Sequence, residues 1–377
     1  MRTLNKLAFL LEDFSPGSPA QHLVDRFLMG YARDGEFHKP GPREVSAYVM
    51  MTNEGGFDKR AEDFGLRVAS TAEQAVDGAD AVVVVSRKPG VMANDRLLKI
   101  ALERAAEGAA CFVHGALSSS LALGREAITL ARSRKISLLA GSALNVTHRL
   151  PAVEVPAGTA LSEALIVVQI NQVMAPGQSG TGSGTLGGAE LNALEGLLPI
   201  IERRAGGESG IRSIRWLEGD DVWKAGDKGL WSRPLLAAAL SRSNSPQGDP
   251  VLDGRTQDIF GLGLVRKLAL QPVAWQLAHH DGLKTTILVL DGVVNDFNFA
   301  VGARDGRTFS AQLFRAPPPV EQHYGLLMAT IEDFLRGGAS PWRVERNLLI
   351  AGLLETFRRP LARSGRVVET PDLGLAY

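Results

Sequence analysis

At 377 residues the chain exceeds one ordinary hydrophobic core, so two domains are expected. Its 41 basic and 41 acidic residues cancel, which excludes nucleic acid and anionic membrane as the main partner, since both recruit a basic surface. No stretch reaches the roughly 18 apolar residues that span a bilayer, and 45% hydrophobic content is that of a globular protein, for which the cytoplasm is the expected compartment.

Arg2 and Lys6 are followed by only a short apolar run and then Glu12-Asp13, which does not make a signal peptide. Residues 7–11 (LAFLL) read as a buried strand, continuous and apolar as in parallel sheets. Ser18-Pro19 is a hydroxyl cap with proline at the first helical position, and the helix it opens runs to about Tyr31. A strand over 44–51, a short helix closed by Gly65, a strand over 79–85 (ADAVVVV) and a helix over 94–107 follow. Then comes the stretch that organises the chain: strand 111–113, amphipathic helix 118–134, strand 136–140 and a polar loop into Pro151. Strand, helix, strand is a crossover that places both strands in one parallel sheet. The first 148 residues thus read as a doubly wound α/β domain, with ligands expected outside the carboxyl ends of its strands, at His114 and at Gly141 to Asn145. Cys111, the single cysteine, lies in one of these strands and reads as a core hydrophobe.

From residue 149 to 377 the pattern changes. A strand over 162–173 precedes a glycine- and serine-rich loop at 177–188 and a helix from Ala189 to about Arg204. The segment 206–240 carries Trp216, Trp223 and Trp231 among charges and reads as a packed excursion. Strands over 273–279, 285–290 and 296–303 are joined by Asp281-Gly282 and Asp291-Gly292, with Asp305-Gly306 after the third, which signal hairpins. The second domain is therefore α/β with an open, mainly antiparallel sheet, one face of which is free to bind a second copy in a homodimer or homotetramer. Helices over 321–336 and 344–357 close the chain, Val367-Val368 adds a short edge, and the part from about 343 onward is expected to pack back on the first domain.

Gly182-Ser183-Gly184-Thr185-Leu186-Gly187 matches the dinucleotide fingerprint GxGxxG. It stands too far from its strand for the tight turn the fingerprint needs, and it reads as a loop beside the site. The position where a fingerprint belongs, after the first strand, offers only Gly17, with Glu12 and Asp13 placing negative charge nearby. The helix start there still presents free N–H groups, so Ser15, Gly17 and Ser18 are the candidates for a phosphate. Thr52 ends the second strand beside Glu54, which either holds ribose hydroxyls or is plain loop. Ser86 and Arg87 end the 79–85 strand on the same edge, where Arg87 either meets a cofactor phosphate or is a solvated loop charge.

Several local patterns resemble the Gfo/Idh/MocA family of sugar and polyol oxidoreductases. Residues 57–66 (FDKRAEDFGL), 70–75 (STAEQA) and 79–82 (ADAV) are similar to the family's link between its second and later strands. Residues 111–120 fall where its Glu-Lys-Pro motif falls, 128–141 resemble its next helix and strand, and 344–368 its closing helix and strand. Arg149-Leu150-Pro151-Ala152 with Glu154 resembles a divergent branch. The resemblance implies a Rossmann-like nucleotide-binding domain, NAD or NADP as cofactor, and hydride exchange with a carbohydrate-like small molecule. It also implies a lysine in the Glu-Lys-Pro motif and a histidine in the second domain to handle the substrate's proton.

Those positions differ here. The motif reads His114-Gly115-Ala116, and the position of the histidine reads Asn192. His114 is then the substitute acid–base group, or a histidine hydrogen-bonded at a strand end. His148 and Asn192 complete the catalytic candidates, and Asn145, Arg149 and Glu154 those for substrate. His148 and Arg149 either grip a carboxylate or hydroxyl or form a salt bridge with Glu154. Glu190 and Asn192, two apart on a helix, cannot share a face, and Asn192 is the one expected to reach the site. His279 and His280, adjacent on a strand, point to opposite faces, so no metal site is expected. Two functions follow from the resemblance and these departures: an NAD(P)-dependent oxidoreductase, or a repurposed, non-catalytic partner subunit that kept the fold.

Overall fold

The computed structural model describes residues 2–51, 56–86, 95–170, 186–244 and 263–377. They form two compact units: 2–146 with 316–351, and 147–170, 186–244, 263–315 with 352–377. The segment returning to the first unit is thus 316–351, whereas the sequence suggested about 343 onward.

In chain order the first unit begins with β1 (Lys6–Leu11), α1 (Pro19–Met29), a small ribbon of β2 (Tyr31–Arg33) and β3 (Glu36–His38), and β4 (Glu44–Val49). It continues with α2 (Phe57–Phe64), β5 (Arg67–Val68), α3 (Ala72–Val76), β6 (Ala81–Val85), α4 (Asp95–Arg104), β7 (Ala110–His114), α5 (Leu121–Ser133) and β8 (Ser137–Gly141). The sheet order is β5-β4-β1-β6-β7-β8, with all pairings parallel. Burial on both faces is why β1, β6 and β7 are unbroken apolar runs. Ser18 caps α1 by accepting from the Gln21 amide, and Pro19 opens the helix. The helix stops two residues before the expected Tyr31, because Gly30 takes φ +105° and Tyr31 starts the ribbon. A Cβ at Gly30 would lie 2.6 Å from the His38 carbonyl oxygen, so the ribbon folds back only over glycine.

The second unit contains β9 (Arg149–Leu150), β10 (Leu161–Val168), α6 (Leu186–Ile201), β11 (Ile211–Glu218), α7 (Asp220–Asp227), α8 (Arg233–Leu240) and α9 (Val265–Leu268). After these come β12 (Val273–His279), β13 (Lys284–Val289), β14 (Phe297–Ala303) and β15 (Thr308–Leu313). The chain closes with α10 (His323–Leu335) in the first unit, α11 (Val344–Arg358), and β16 (Val367–Glu369) in the second. The second sheet runs β16-β11-β12-β13-β10-β14-β15-β9, antiparallel except for β10 with β13.

Two of the three Asp-Gly signals are hairpins between paired strands, β12 with β13 and β14 with β15. The third, Asp291-Gly292, is not: β10 lies between β13 and β14. Asp291 instead accepts a hydrogen bond from the Ile170 amide (2.6 Å), and a Cβ on Gly292 would strike the Leu268 carbonyl oxygen at 2.5 Å. The turn tucks under α9, and glycine serves that approach.

In the first unit, α10 contributes Leu327, Met328, Ile331 and Phe334 to a core that includes Phe9 and Leu11 of β1, Val83 of β6, Phe112 of β7 and Phe27 of α1. Removing a fully buried ring such as Phe9 costs about 3–5 kcal/mol. In the second unit, Trp223, Trp231, Leu235, Leu236 and Val265 pack on Leu165, Val167, Ala274, Leu288 and Ala300 of the sheet. The excursion with its tryptophans therefore covers one sheet face with α7, α8 and α9. On the other face Gly196 of α6 meets Ile166 and Leu313. At β10 the chain's own helices thus lie on both faces of the sheet. Among the described residues no helix is long and apolar enough to cross a membrane.

Candidate functional site

The carboxyl ends of β6, β7 and β8 stand side by side in the first unit, where Val85, His114 and Gly141 are register partners. His114 is 3% exposed, and neither ring nitrogen has a hydrogen-bond partner among the described residues. Burial, with His22 nearby, pushes its imidazole down to about 4, so it is neutral at pH 7. Gly115, at φ +90°, occupies the position where the family resemblance implies a lysine, and its amide donates to the Gly141 carbonyl (3.0 Å). Asn145 is built into the loop after β8: its Nδ2 donates to the Ser142 carbonyl (3.3 Å) and its Oδ1 accepts from Arg346 Nη1 (3.2 Å). Cys111 is buried in β7, where burial raises its thiol to about 12, far from a reactive thiolate.

The turn from β1 to α1 satisfies much of its own hydrogen bonding. Gly17 N donates to Gln21 Oε1 (2.5 Å), Ser18 N to the Ser15 carbonyl (3.0 Å), and Gln21 N to Ser18 Oγ (3.2 Å). Ser15 Oγ donates to Asp13 Oδ2 (2.9 Å). Ser86 is buried at the end of β6. Thr52, Glu54, Arg87 and Gly182 to Thr185 of the glycine motif lie outside the described residues.

The remaining candidates belong to the second unit. His148 is exposed, and its carbonyl accepts from the Phe314 amide (2.8 Å). Arg149, on β9, donates to the Val153 carbonyl (3.3 Å), and burial lowers its guanidinium from the ordinary value. Glu154 pairs with Arg203 (3.6 Å) on the surface, so the anticipated bridge to Arg149 gives way to a different partner. Glu190, not Asn192, turns inward on α6: its Oε1 accepts from Trp275 Nε1 at 2.7 Å, and burial raises its carboxyl to about 7. Asn192 is half-buried. His279 is a buried structural residue, with Nδ1 at 2.8 Å from Glu208 Oε1 and Nε2 at 2.9 Å from Thr285 Oγ1. No metal-binding cluster occurs among the described residues.

The first unit also assembles groups that the sequence reading missed. Tyr324, at the start of α10, stacks on His22 of α1 with centroids 4.5 Å apart, and lies 4.9 Å from His323 and 6.3 Å from His114. Glu321 Oε2 is 3.4 Å from His323 Nε2 and 3.8 Å from His22 Nε2. Helical periodicity counts only apolar positions, so His22 passed as a polar residue of α1. The run Glu321-Gln322-His323-Tyr324, polar and aromatic just ahead of an apolar helix, was the available signal.

No family profile matches this sequence, and no protein of curated function matches it by sequence. Solved structures do match along nearly its whole length. GenD2 from gentamicin A biosynthesis, in complex with NAD, is 14% identical with a TM-score of 0.60, covering 98% of this chain and 97% of its own. Myo-inositol dehydrogenase from Lactobacillus casei, in complex with NAD(H) and myo-inositol, is 13% identical with a TM-score of 0.57 over 98% and 97%. Biliverdin reductase from Synechocystis sp. PCC 6803, in complex with biliverdin and NADP+, is 13% identical with a TM-score of 0.52 over 93% and 96%. At these identities the likeness establishes a shared fold: a Rossmann-like parallel sheet joined to a mainly antiparallel one.

Proposed function

We propose that this chain is a divergent protein of the Gfo/Idh/MocA type, an oxidoreductase that binds NAD or NADP and acts on a sugar, polyol or related hydroxy compound. The observation that carries this reading is the parallel-sheet edge at Val85, His114 and Gly141, set in a fold shared along nearly the whole chain with structures holding NAD(H) or NADP+. The nicotinamide group supplies hydride exchange when bound. Its phosphates are assigned to the positive end of α1, Gly17 with no Cβ and the Ser18 hydroxyl, the Ser15 hydroxyl being given to Asp13. The fit is looser than a glycine nest, because Gly17, Ser18 and Gln21 amides are already engaged and Pro19 has none.

In this reading His114 takes the hydroxyl proton, supported by its position at the strand end and by a ring that is neutral and without a hydrogen-bond partner among the described residues. A second reading, a non-catalytic member of the same type, is favoured by Gly115 at the lysine position and by Asn192 in place of the histidine, neither of which can act as a base. Turnover of a panel of sugars and polyols with NAD or NADP, followed by nicotinamide absorbance, tests the proposal. Turnover that drops at least tenfold in His114→Ala supports it; bound nucleotide without turnover on any substrate favours the second reading.

A further inference from the structure

The second unit holds a groove of about 330 Å³ between the end of β11, α7 and the segment that joins α11 to β16. Its size is that of a small-molecule site. Four cations line it, Arg215, Lys224, Lys228 and Arg363, against two carboxylates, Glu218 and Asp221. Both carboxylates are engaged. Lys224 lies 3.1 Å from Asp221, and Glu218 Oε2 accepts from Trp216 Nε1 (3.2 Å). The lining groups keep an excess of two positive charges.

The two arginines are fixed in place. Arg215 Nε donates to the Gly365 carbonyl (3.0 Å) and Arg363 Nε to the Phe357 carbonyl (2.9 Å). The Arg363 guanidinium also lies 5.2 Å from the centroid of the Trp216 ring. Each Nε bond uses one of five donors and orients the fork, so an anion that arrives finds it already ordered. Among the described residues neither Nη of Arg215 has a partner, and none is found for Lys228 Nζ or Ser364 Oγ. Arg363 Nη2 has only Glu190 Oε1 at a loose 3.9 Å, an oxygen that already accepts from Trp275.

This set of donors asks for more than a carboxylate, which brings two oxygens and one charge. A phosphate monoester brings three terminal oxygens and close to two charges at pH 7, matching the excess on the walls. Leu217, Ala225 and the exposed Leu230 add apolar wall for an organic body.

We propose that this groove binds a phosphate monoester of a small organic molecule, the phosphate held by Arg215, Arg363 and Lys228 and the body against Leu230. The groove lies wholly in the second unit, and the proposal stands without the nucleotide reading.

The full chain is titrated calorimetrically, with and without NADH, using phenyl phosphate and phenyl sulfate, which has the same shape and one charge fewer. Saturable phenyl phosphate binding in both conditions, at least about tenfold tighter than the sulfate and weakened about tenfold in Arg215→Gln, is the expected result. Inorganic phosphate, which lacks the body, should bind more weakly than the ester. No binding of phenyl phosphate, equal affinity for the sulfate or for inorganic phosphate, loss of binding when NADH is present, or unchanged affinity in Arg215→Gln overturns the proposal. Should Arg215→Gln not fold, Lys228→Gln, at an exposed position, should weaken phenyl phosphate about threefold, and an unchanged affinity there overturns the proposal equally.

Discussion

Lowering the pH from 7 to about 5.5 titrates buried groups of opposite sense, and their balance can be worked from the structure. His22 and His114 are held down to about 4 from an ordinary 6.5, in both cases mainly by burial. A histidine depressed in the folded state contributes stability that is present above its unfolded pKa and lost as the pH falls from 6.5 toward 4. By pH 5.5 each has lost about 1 kcal/mol, or roughly 2 kcal/mol together. Glu190 runs the other way: burial raises it from 4.5 to about 7, so the folded state takes up a proton first and gains about 1.5 kcal/mol over the same interval. The Glu208 carboxyl does not enter. Burial opposes its ionisation, but the His279 and Arg204 hydrogen bonds outweigh burial and hold it at about 2, below this window. The wild type should therefore change by less than about 1 kcal/mol, whereas Glu190→Gln should lose about 2 kcal/mol and His114→Leu should lose about 1 kcal/mol less than its parent. Urea unfolding followed by circular dichroism at both pH values measures this. Identical pH dependence in wild type, Glu190→Gln and His114→Leu would refute the burial argument.

Two further outcomes follow from the geometry. Gly30→Ala should destabilise the protein by about 1–3 kcal/mol, measurable as a lower urea midpoint, because its φ of +105° and the His38 carbonyl at 2.6 Å leave no room for a Cβ. If His114 takes the substrate's proton, kcat/KM should hold down to about pH 5 and fall only toward about 4, in place of the usual histidine limb near 6.5; an acid limb near 6.5 would assign that limb to another group.

Much of this architecture could be read from residues alone, where one physical cause dominates. Strands buried on both faces leave long apolar runs, and a cap followed by proline marks a helix start, so β1, β6, β7 and α1 were visible from LAFLL, ADAVVVV, CFV and Ser18-Pro19. Where two causes compete, the reading slipped. Asp291-Gly292 carries the composition of a hairpin, but a parallel partner arriving from far back in the chain, β10, takes the neighbouring place. β11 was hidden because Arg212 and Arg215 stand three apart and break the strand's alternation, and its Trp216 read as part of a packed excursion. The site was less legible than the fold. His114 lies at its strand end as expected, but its environment depends on His22 and on Tyr324, which is 210 positions further along the chain, and no local pattern links them. The choice between Glu190 and Asn192 turned on helix phase, and no local pattern announces that Glu190 is bound to Trp275, 85 positions further along.

The central claim is that the first unit takes a nicotinamide nucleotide at the sheet edge beside His114. Titrating the purified chain with NADH and with NADPH, following nicotinamide fluorescence and the melting temperature together, tests it most directly. The account predicts saturable binding of at least one of them and a gain of about 2.7 kcal/mol at 100 times the dissociation constant. No fluorescence change and no shift in melting temperature with either nucleotide would contradict it.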